Sequence, residues 1–112
     1  MMDCLFCKII AGEIPSAKVY EDEEVYAFKD ISPVAPVHIL IVPKKHYASV
    51  MEVDDPSIIG HIFEVIQKLA KEFDVCEDGF RIVNNCGDNG CQSVKHVHFH
   101  LVGGRQLEAK MG

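Results

Sequence analysis

The chain has 112 residues, 48% of them apolar, and a net charge of −6 from 17 acidic and 11 basic side chains. An acidic balance disfavours a nonspecific nucleic-acid surface, because such surfaces rely on Lys and Arg to contact phosphates. No apolar run approaches the roughly 20 residues that a membrane-spanning helix needs. We therefore expect one globular domain over residues 1–112, with neither nucleic acid nor membrane as a partner.

The cysteines and the N-terminal segment predict the compartment. The chain has five cysteines, an odd number that argues against a disulfide framework. The segment MMDCLFCKII has no basic region ahead of its apolar residues, so we expect no secretory signal. Together these features predict a cytoplasmic protein.

The predicted elements begin with a short helix over residues 4–11, for which Asp3 is the cap and Gly12 the stop. A longer helix starts at Pro56, since two aspartates precede it and apolar residues recur at helical spacing as far as Phe73. Strand patterns occupy residues 18–21, 24–29, 37–42, 80–84 and 96–102. The order αβββαββ indicates a meandering antiparallel sheet with the helices to one side, which is an α+β fold.

Three histidines alternate with apolar residues in HVHFHLV, residues 96–102. On a strand, His96, His98 and His100 would share one face, at a spacing of roughly 6.5–7 Å. Such a row could hold a metal ion, or it could supply a nucleophile and proton donors for an anionic phosphate. A solvent-facing strand that happens to carry histidines is the third interpretation.

Three other features of the sequence bear on the site. The loop over residues 85–92 is rich in Gly, Asn and Asp and could turn backbone N–H groups toward an anion. Cys4 and Cys7 form a CxxC pair, which is typical of redox or metal sites, although here it falls in a short helix. His38 stands alone in an apolar strand, where a histidine is more often a core residue.

HVHFHLV fits the signature of the histidine triad superfamily, His-φ-His-φ-His-φ-φ with φ apolar. Three longer segments resemble its nucleotide-binding branch, typified by purine nucleoside phosphoramidases: FCKIIAGEIPSAKVYEDE, YAFKDISPVAPVHILIVPKKH and DNGCQSVKHVHFHLVGGRQ. The resemblance implies an α+β fold with a five-stranded antiparallel sheet, one short helix and one long helix. It also implies a homodimer in which an edge strand and the long helix join two sheets into a ten-stranded one.

The resemblance implies a hydrolase or transferase that cleaves the P–N bond of purine nucleoside 5′-phosphoramidates. His98 would attack the α-phosphorus and carry the nucleotide covalently, because a neutral imidazole is nucleophilic and a protonated one leaves readily. His38 would orient the His98 ring, and His96 would support the site from behind. The residues implied at phosphate oxygens or the leaving group are His100, Ser93 and Gln92.

The resemblance also assigns nucleoside contacts. Asn85 matches a position that hydrogen-bonds near the phosphate and ribose, and Asp30 matches a carboxylate that binds the vicinal hydroxyls. The apolar slot around the purine would consist of Leu5, Phe6, Ile9, Phe28 and Ile31. The implied ligand is a purine mononucleotide or a nucleoside phosphoramidate. One departure is that phosphoramidases of this type often end in a longer tail with aromatic residues, whereas this chain has no tryptophan.

Some bacterial members of the superfamily hold a structural zinc ion with a cysteine pair, the histidine after PKK and the first triad histidine. The matching residues are Cys4, Cys7, His46 and His96, and two thiolates with two imidazoles suit a closed tetrahedral site. The chemistry itself would require no cofactor, because positioning and hydrogen-bond donors do most of the work in phosphoryl transfer.

Three alternative functions stay open. The first is hydrolysis of dinucleoside polyphosphates, as in the fragile-histidine-triad branch, with a nucleotide as the leaving group. The second is a nucleotide-binding adaptor with little turnover. The third is a metalloenzyme whose metal is held by His98 and His100.

Overall fold

A computed structural model describes residues 4–112, so the predicted helix cap Asp3 lies outside the described residues. The described elements are α1 (Leu5–Ile10), β1 (Lys18–Glu21), β2 (Val25–Lys29), β3 (Val37–Pro43), a short 3-10 helix (Val50–Glu52), α2 (Pro56–Glu72), β4 (Phe80–Val83) and β5 (Phe99–Gly103). The residue that caps α1 is Cys4, whose sulfur accepts a hydrogen bond from the Cys7 N–H. Within this range, neither helix combines the length and the apolar character needed to cross a bilayer.

The five strands form one antiparallel sheet in the order β1-β2-β3-β5-β4. The predicted α+β fold and five-stranded antiparallel sheet are therefore confirmed. The sheet is not a simple meander, because the chain leaves β3 through α2, reaches the far edge as β4, and returns through β5 to the centre. In the β3–β5 register, His38 lies opposite Val102 and Leu40 lies opposite His100. This topology brings the C-terminal histidines beside the strand that carries His38.

The two helices pack on opposite faces of the sheet, so the expectation that they lie to one side is wrong. On β3, Ile39 and Ile41 belong to the core beneath α2, whereas Leu40 and Val42 belong to the core beneath α1. Successive side chains of a strand point to opposite faces, so a strand that is apolar at nearly every position needs a cover on both. The unbroken apolar run of β3 is the sequence feature that required this arrangement.

Helix α2 supplies much of the larger core. Asp55 caps it by accepting a hydrogen bond from the Ser57 N–H at 3.0 Å, and Pro56 stands in its first turn. Its side chains Ile62 and Leu69 are fully buried, and burying a side chain of this kind contributes about 1.5–3 kcal/mol. The predicted start of this helix is confirmed. The smaller core beneath α1 lies next to the histidines and forms the floor of the candidate site.

Candidate active site and metal centre

The histidine segment is only partly a strand. Strand β5 begins at Phe99, so His100 lies within it while His96 and His98 lie in the irregular chain that precedes it. The chain bends there, with the His96 N–H bonded to the Val94 carbonyl at 2.9 Å. The predicted strand over residues 96–102 is therefore too long at its start, because a local bend replaces pairing with a neighbouring strand.

The alternation of faces nevertheless extends through the segment. The rings of His98 and His96 lie 5.0 and 6.0 Å from the Phe6 ring of α1, and Phe99 belongs to the core beneath α2. The ring centroids of His98 and His100 are 5.1 Å apart. This separation is less than the roughly 6.5–7 Å between alternate residues of a strand, so the two rings converge on one place.

The ring of His98 is oriented by the main chain. Its Nδ1 lies 2.8 Å from the His96 carbonyl oxygen, and because a carbonyl only accepts, Nδ1 carries the proton and donates it. Nε2 therefore holds a lone pair in the neutral ring. Within residues 4–112, every side-chain nitrogen or oxygen that is shielded from solvent has a hydrogen-bond partner. Nε2 of His98 has no such partner, so it is not among the shielded atoms. Solvent therefore reaches this nitrogen, although only 3% of the residue is exposed.

His38 contacts His100 and not His98. Its Nε2 lies 2.9 Å from Nδ1 of His100 and 3.5 Å from a carboxylate oxygen of Asp30, and its Nδ1 accepts the Val34 N–H at 3.2 Å. The expectation that His38 orients the His98 ring is therefore wrong. His38 and His100 occupy neighbouring positions on one face of the paired strands, whereas His98 lies beyond the pairing and has its Nδ1 bonded to a carbonyl.

These hydrogen bonds determine where each neutral ring carries its proton. A backbone N–H can only donate, so Nδ1 of His38 is unprotonated and its Nε2–H donates to Nδ1 of His100. His100 must then carry its own proton on Nε2. The site thus presents two different nitrogens side by side, a lone pair on His98 and an N–H on His100, which suit a nucleophile and a hydrogen-bond donor.

Burial favours the neutral form of these rings. It lowers the pKa of His98, against the opposing effects of the His96 carbonyl and the Asp30 carboxylate. Burial, reinforced by the neighbouring rings of His98 and His38, lowers the pKa of His100 to about 4. An unprotonated Nε2 on His98 is therefore available at neutral pH.

A second cluster lies on the other side of His96. Cys4, Cys7, His46 and His96 offer ligand atoms that all lie within 4.8 Å of one another. Nδ1 of His96 is 3.4 Å from the Cys4 sulfur, 3.6 Å from the Cys7 sulfur and 3.2 Å from Nδ1 of His46. Because Nε2 of His96 donates to the Pro43 carbonyl at 2.8 Å, Nδ1 keeps a lone pair directed at this cluster.

The spacing of the four groups fits a tetrahedral zinc ion. Bonds of about 2.3 Å to sulfur and 2.0–2.1 Å to nitrogen separate two nitrogens by about 3.3 Å, and a nitrogen from a sulfur by about 3.6 Å. The nitrogens here are 3.2 Å apart, and three nitrogen–sulfur pairs are 3.4, 3.4 and 3.6 Å apart. Burial and the adjacent Cys4 raise the pKa of Cys7, an effect that a bound divalent cation reverses.

The loop that precedes the histidines is organised by Gln92. Its Oε1 accepts the Gly87 N–H at 3.0 Å, and its Nε2 donates to the carbonyls of Ala48 at 2.7 Å and Val94 at 3.0 Å. Both amide hydrogens, the groups that could bind a phosphate, are thus engaged by the main chain. The expected contact of Gln92 with phosphate is not supported, because this buried side chain holds the loop together.

Two other predicted residues of this loop have free side chains. Asn85 is half-buried and Ser93 is exposed, and neither side chain has a hydrogen-bond partner among the described residues. Asn84, which was not predicted, donates to the His98 carbonyl at 2.9 Å. Its position at the end of β4, beside a second asparagine, was the one signal that could have identified it. The carbonyl of His96 and the N–H of Val34 were also missed, because a sequence pattern says little about main-chain groups.

The apolar residues predicted around a purine divide into two groups. Phe6, Ile9 and Phe28 are at most 7% exposed and belong to the core beneath α1, where the Phe6 ring meets both Phe28 and His98 edge-on. Leu5 and Ile31 are 43% and 96% exposed. The structure therefore brings Phe6 against His98, with Phe28 in contact with Phe6, and leaves Leu5 and Ile31 with free apolar surface.

Two surface clefts lie away from the histidines. One, of about 670 Å³, is lined by residues that include Asp78, Arg81 and Arg105, and the other, of about 650 Å³, follows β1 and includes Lys44. Neither is lined by an imidazole. The candidate site is therefore located by its hydrogen-bonded histidines and not by concavity of the surface.

Comparison with known proteins identifies the family of the chain. The model of the HIT domain family matches residues 11–107. The chain belongs to the HIT domain family. Solved HIT structures superpose closely on it: a histidine triad protein from Clostridium difficile is 54% identical with a TM-score of 0.95, over 98% of this chain and 97% of that one. A HIT family hydrolase from Legionella pneumophila is 46% identical with a TM-score of 0.95, over 98% and 100%.

HIT relatives with assigned names point to two properties. The Adenylylsulfatase HINT1 of Arabidopsis thaliana is 48% identical over 107 residues, covering 92% of this chain and 72% of that protein. A 14 kDa zinc-binding protein of Zea mays is 50% identical over 107 residues, covering 92% of this chain and 83% of that protein. The first name denotes chemistry at an adenylyl group, and the second denotes zinc binding.

Proposed function

We propose that this HIT protein is a nucleotidyl hydrolase or transferase that cleaves the P–N bond of purine nucleoside 5′-phosphoramidates through a covalent intermediate on His98. The observation that carries the proposal is the bond from Nδ1 of His98 to the His96 carbonyl at 2.8 Å. This bond fixes the proton on Nδ1 and leaves a nucleophilic lone pair on the solvent-accessible Nε2.

The reaction has two displacements at the α-phosphorus. In the first, the Nε2 lone pair of His98 forms a bond to phosphorus and the P–N bond to the substrate's amine breaks. The amine leaves with the electron pair and takes up one proton from solvent, which the water of the second step replaces. In the second, a water oxygen attacks the phosphorus, the bond to Nε2 breaks, and the lone pair returns to His98. Water supplies the hydroxyl of the released nucleotide and one proton. A transferase would replace water with another acceptor hydroxyl.

The groups around His98 have distinct parts in this scheme. His100 offers its Nε2–H to a nonbridging oxygen or to the leaving amine, and its tautomer is set by His38. The exposed hydroxyl of Ser93 is a second donor for the same region. His96 acts through its carbonyl and through its ring in the metal cluster. Such fixed donors stabilise charge that develops in the transition state.

The nucleoside would lie along the α1 face. Asp30, with its side chain 21% exposed, offers carboxylate oxygens to the ribose hydroxyls, and Asn85 offers its amide to the region between ribose and phosphate. Leu5 and Ile31 would contact the purine directly. The buried rings of Phe6 and Phe28, together with Ile9, form the wall behind them and hold its shape.

The cluster of Cys4, Cys7, His46 and His96 would hold a structural zinc ion. When bound, the ion supplies a rigid tetrahedral link between α1 and the chain just before β5. No chemical step at phosphorus involves it. A cytoplasmic location fits this proposal, since both thiols must stay reduced to bind the metal.

The proposed assembly is a homodimer. Strand β4 is an open edge of the sheet, its Ile82 is 37% exposed, and Phe63 on the nearby face of α2 is 43% exposed. Light scattering in solution is expected to give twice the mass of the chain. Ile82→Asp should shift the protein toward monomer, whereas Met51→Asp, at an apolar residue that is 82% exposed elsewhere, should not.

Other leaving groups would use the same intermediate. Adenylyl sulfate, suggested by the name of the Arabidopsis relative, and dinucleoside polyphosphates differ from the phosphoramidate only beyond the α-phosphorus. Kinetics on the three substrates, matched in their adenosine part, would rank them, and we expect the phosphoramidate to have the highest kcat/KM.

A nucleotide-binding adaptor would instead bind AMP tightly and turn over none of the three substrates. A metalloenzyme would lose its activity when the metal is removed from His98 and His100.

The nucleophile is tested by mass spectrometry of protein quenched during turnover. Wild type should gain one nucleotidyl group on His98, and His98→Ala should lose both the adduct and at least about a thousandfold in kcat. The matched control is His61→Ala, which removes an imidazole on α2 outside the site. Equal turnover by His98→Ala and wild type would end this mechanism.

A further inference from the structure

Arg105 lies just beyond the end of β5 and directs two of its donors to one backbone carbonyl, while its Nη1 donates to the carbonyl of the adjacent Gln106 at 3.0 Å. Its Nη2 and Nε lie 2.8 and 3.3 Å from the Val34 oxygen. Two donors of one planar guanidinium fix both the position and the orientation of the group they bind, which a single ammonium donor does not. Val34 itself belongs to the loop between β2 and β3.

The same residue of the loop also determines the tautomer of His38. The Val34 N–H donates to Nδ1 of His38 at 3.2 Å. The Val34 side chain is 58% exposed, so its own side chain adds little apolar burial, although the neighbouring Ala35 is buried. Among the described residues, two polar contacts reach Val34 from outside the loop: its N–H donates to His38, and its carbonyl accepts from Arg105. Arg105 is therefore the contact that can position Val34 independently of His38.

Gly104 adds a second contact between the same two segments. Its φ is +94°, and a Cβ at this position would come within 3.0 Å of the Pro36 Cβ. The chain after β5 thus touches the loop at two places, Pro36 and Val34. The contacts close a ring that runs from His100 along β5 to Arg105, across to Val34, on to His38 and back to His100.

We propose that Arg105 is a positioning residue that holds Val34 in place, so that His38 keeps its proton on Nε2 and His100 presents an N–H to the phosphate. The catalytic part of this inference rests on the proposed function, whereas the tautomer part does not. Without the anchor, the Val34 N–H would leave Nδ1 of His38, and the proton of this ring could move to Nδ1. Nε2 of His38 would then accept from Nδ1–H of His100, and Nε2 of His100 would present a lone pair in place of a donor.

The tautomers are read directly from ¹⁵N NMR of the imidazole nitrogens in the substrate-free protein. In wild type, Nδ1 of His38 should give the signal of an unprotonated nitrogen and Nε2 that of a protonated one. Arg105→Ala should mix these signals, and Arg105→Lys, which retains one charged donor, should restore them in part. The matched control is Arg81→Ala, because Arg81 also binds a backbone carbonyl, that of Glu108 at 2.6 Å, away from the histidines. Unchanged His38 signals in Arg105→Ala would overturn the inference.

Turnover gives the second readout. Arg105→Ala should lower kcat by about tenfold with little change in KM, because the substrate still binds while the donor is misplaced. Arg105→Lys should recover part of this loss, and Arg81→Ala should keep the wild-type kcat. If the tautomers shift in Arg105→Ala while kcat stays at the wild-type value, the positioning by Arg105 stands and the donor role of His100 in the proposed function falls.

Discussion

Nε2 of His38 and Nδ1 of His100 lie 2.9 Å apart, although 62 residues separate them in the chain. The pairing of β3 with β5 creates this contact, and the Val34 N–H gives it a direction by making His38 the donor. Two histidines of one site therefore have different proton positions without any difference in residue type. His98, the proposed nucleophile, is held separately by the His96 carbonyl.

Replacing His38 should affect the ring of His100 and leave the ring of His98 unchanged. His38→Ala removes the donor to Nδ1 of His100, so we expect kcat to fall by about a hundredfold, the scale of lost proton-transfer assistance. The ¹⁵N signals of His98 should stay as in wild type, because its Nδ1 bonds to the main chain. A changed His98 tautomer in this variant would instead restore the idea that His38 orients the nucleophile.

The metal cluster should be lost when either cysteine is removed. We expect one zinc per chain in protein purified without chelator, and none in Cys7→Ala, because three remaining ligands no longer close the tetrahedron. Loss of the ion should lower Tm, since metal binding contributes to folding stability. Cys76→Ala is the control, as Cys76 is exposed and outside the cluster. Zinc-free wild-type protein of the same Tm would contradict this prediction.

An ion pair between His61 and Asp22 predicts how stability depends on pH. Nε2 of His61 lies 2.6 Å from the Asp22 carboxylate, which together with Glu64 raises the pKa of His61. Burial alone would raise the pKa of Asp22, but hydrogen bonds from Tyr20, two backbone N–H groups and His61 hold it well below its usual value.

The raised pKa of His61 and the lowered pKa of Asp22 determine how the stability of the fold changes with pH. The His61 contribution is fully present below the ordinary histidine pKa of 6.5 and is lost as pH rises through its raised value in the folded state. The Asp22 contribution is present above 3.8 and is lost as pH falls through its lowered value. Urea unfolding of wild type and His61→Gln should thus differ by about 0.5 kcal/mol near pH 5 and converge at pH 9. A constant difference across this range would show that the charge on His61 does not stabilise the fold.

Gln92 should respond to substitution as a buried structural amide. In Gln92→Glu the carboxylate can still accept the Gly87 N–H, but it cannot donate to the carbonyls of Ala48 and Val94. We expect a loss of about 2–3 kcal/mol in the free energy of unfolding, measured by urea titration, since a carboxylate would face two carbonyl oxygens. The Ala48 oxygen loses its donor, whereas the Val94 oxygen keeps the His96 N–H. Gln67→Glu, on the exposed face of α2, should change it little. Comparable stability of both variants would mean that Gln92 does not hold the loop.

The sequence predicted the helices and strands better than the contacts between them. The cap and apolar spacing located the start of α2, and the apolar run of β3 identified a central strand, because these signals are local. The histidine alternation predicted which side chains share a face, which the contacts of Phe6 with His96 and His98 bear out. Such patterns depend on residues that are close in the chain, so they can be recognised in the sequence without the three-dimensional structure.

What the sequence did not predict depends on contacts between distant segments. The start of β5 at Phe99 follows from a bend at His96, and the partner of His38 follows from the β3–β5 register. The Gln92 amide was expected to bind phosphate because its residue type allows this, whereas the path of the surrounding loop directs it elsewhere. Main-chain groups such as the Val34 N–H carry no residue signature at all.

His96 uses its two ends for different purposes: its imidazole faces the Cys4 sulfur and its carbonyl oxygen binds Nδ1 of His98. We therefore expect the zinc content and the reaction rate of this protein to change together. Preparations that differ only in zinc content should differ in turnover rate. Variants should therefore be compared at equal zinc content.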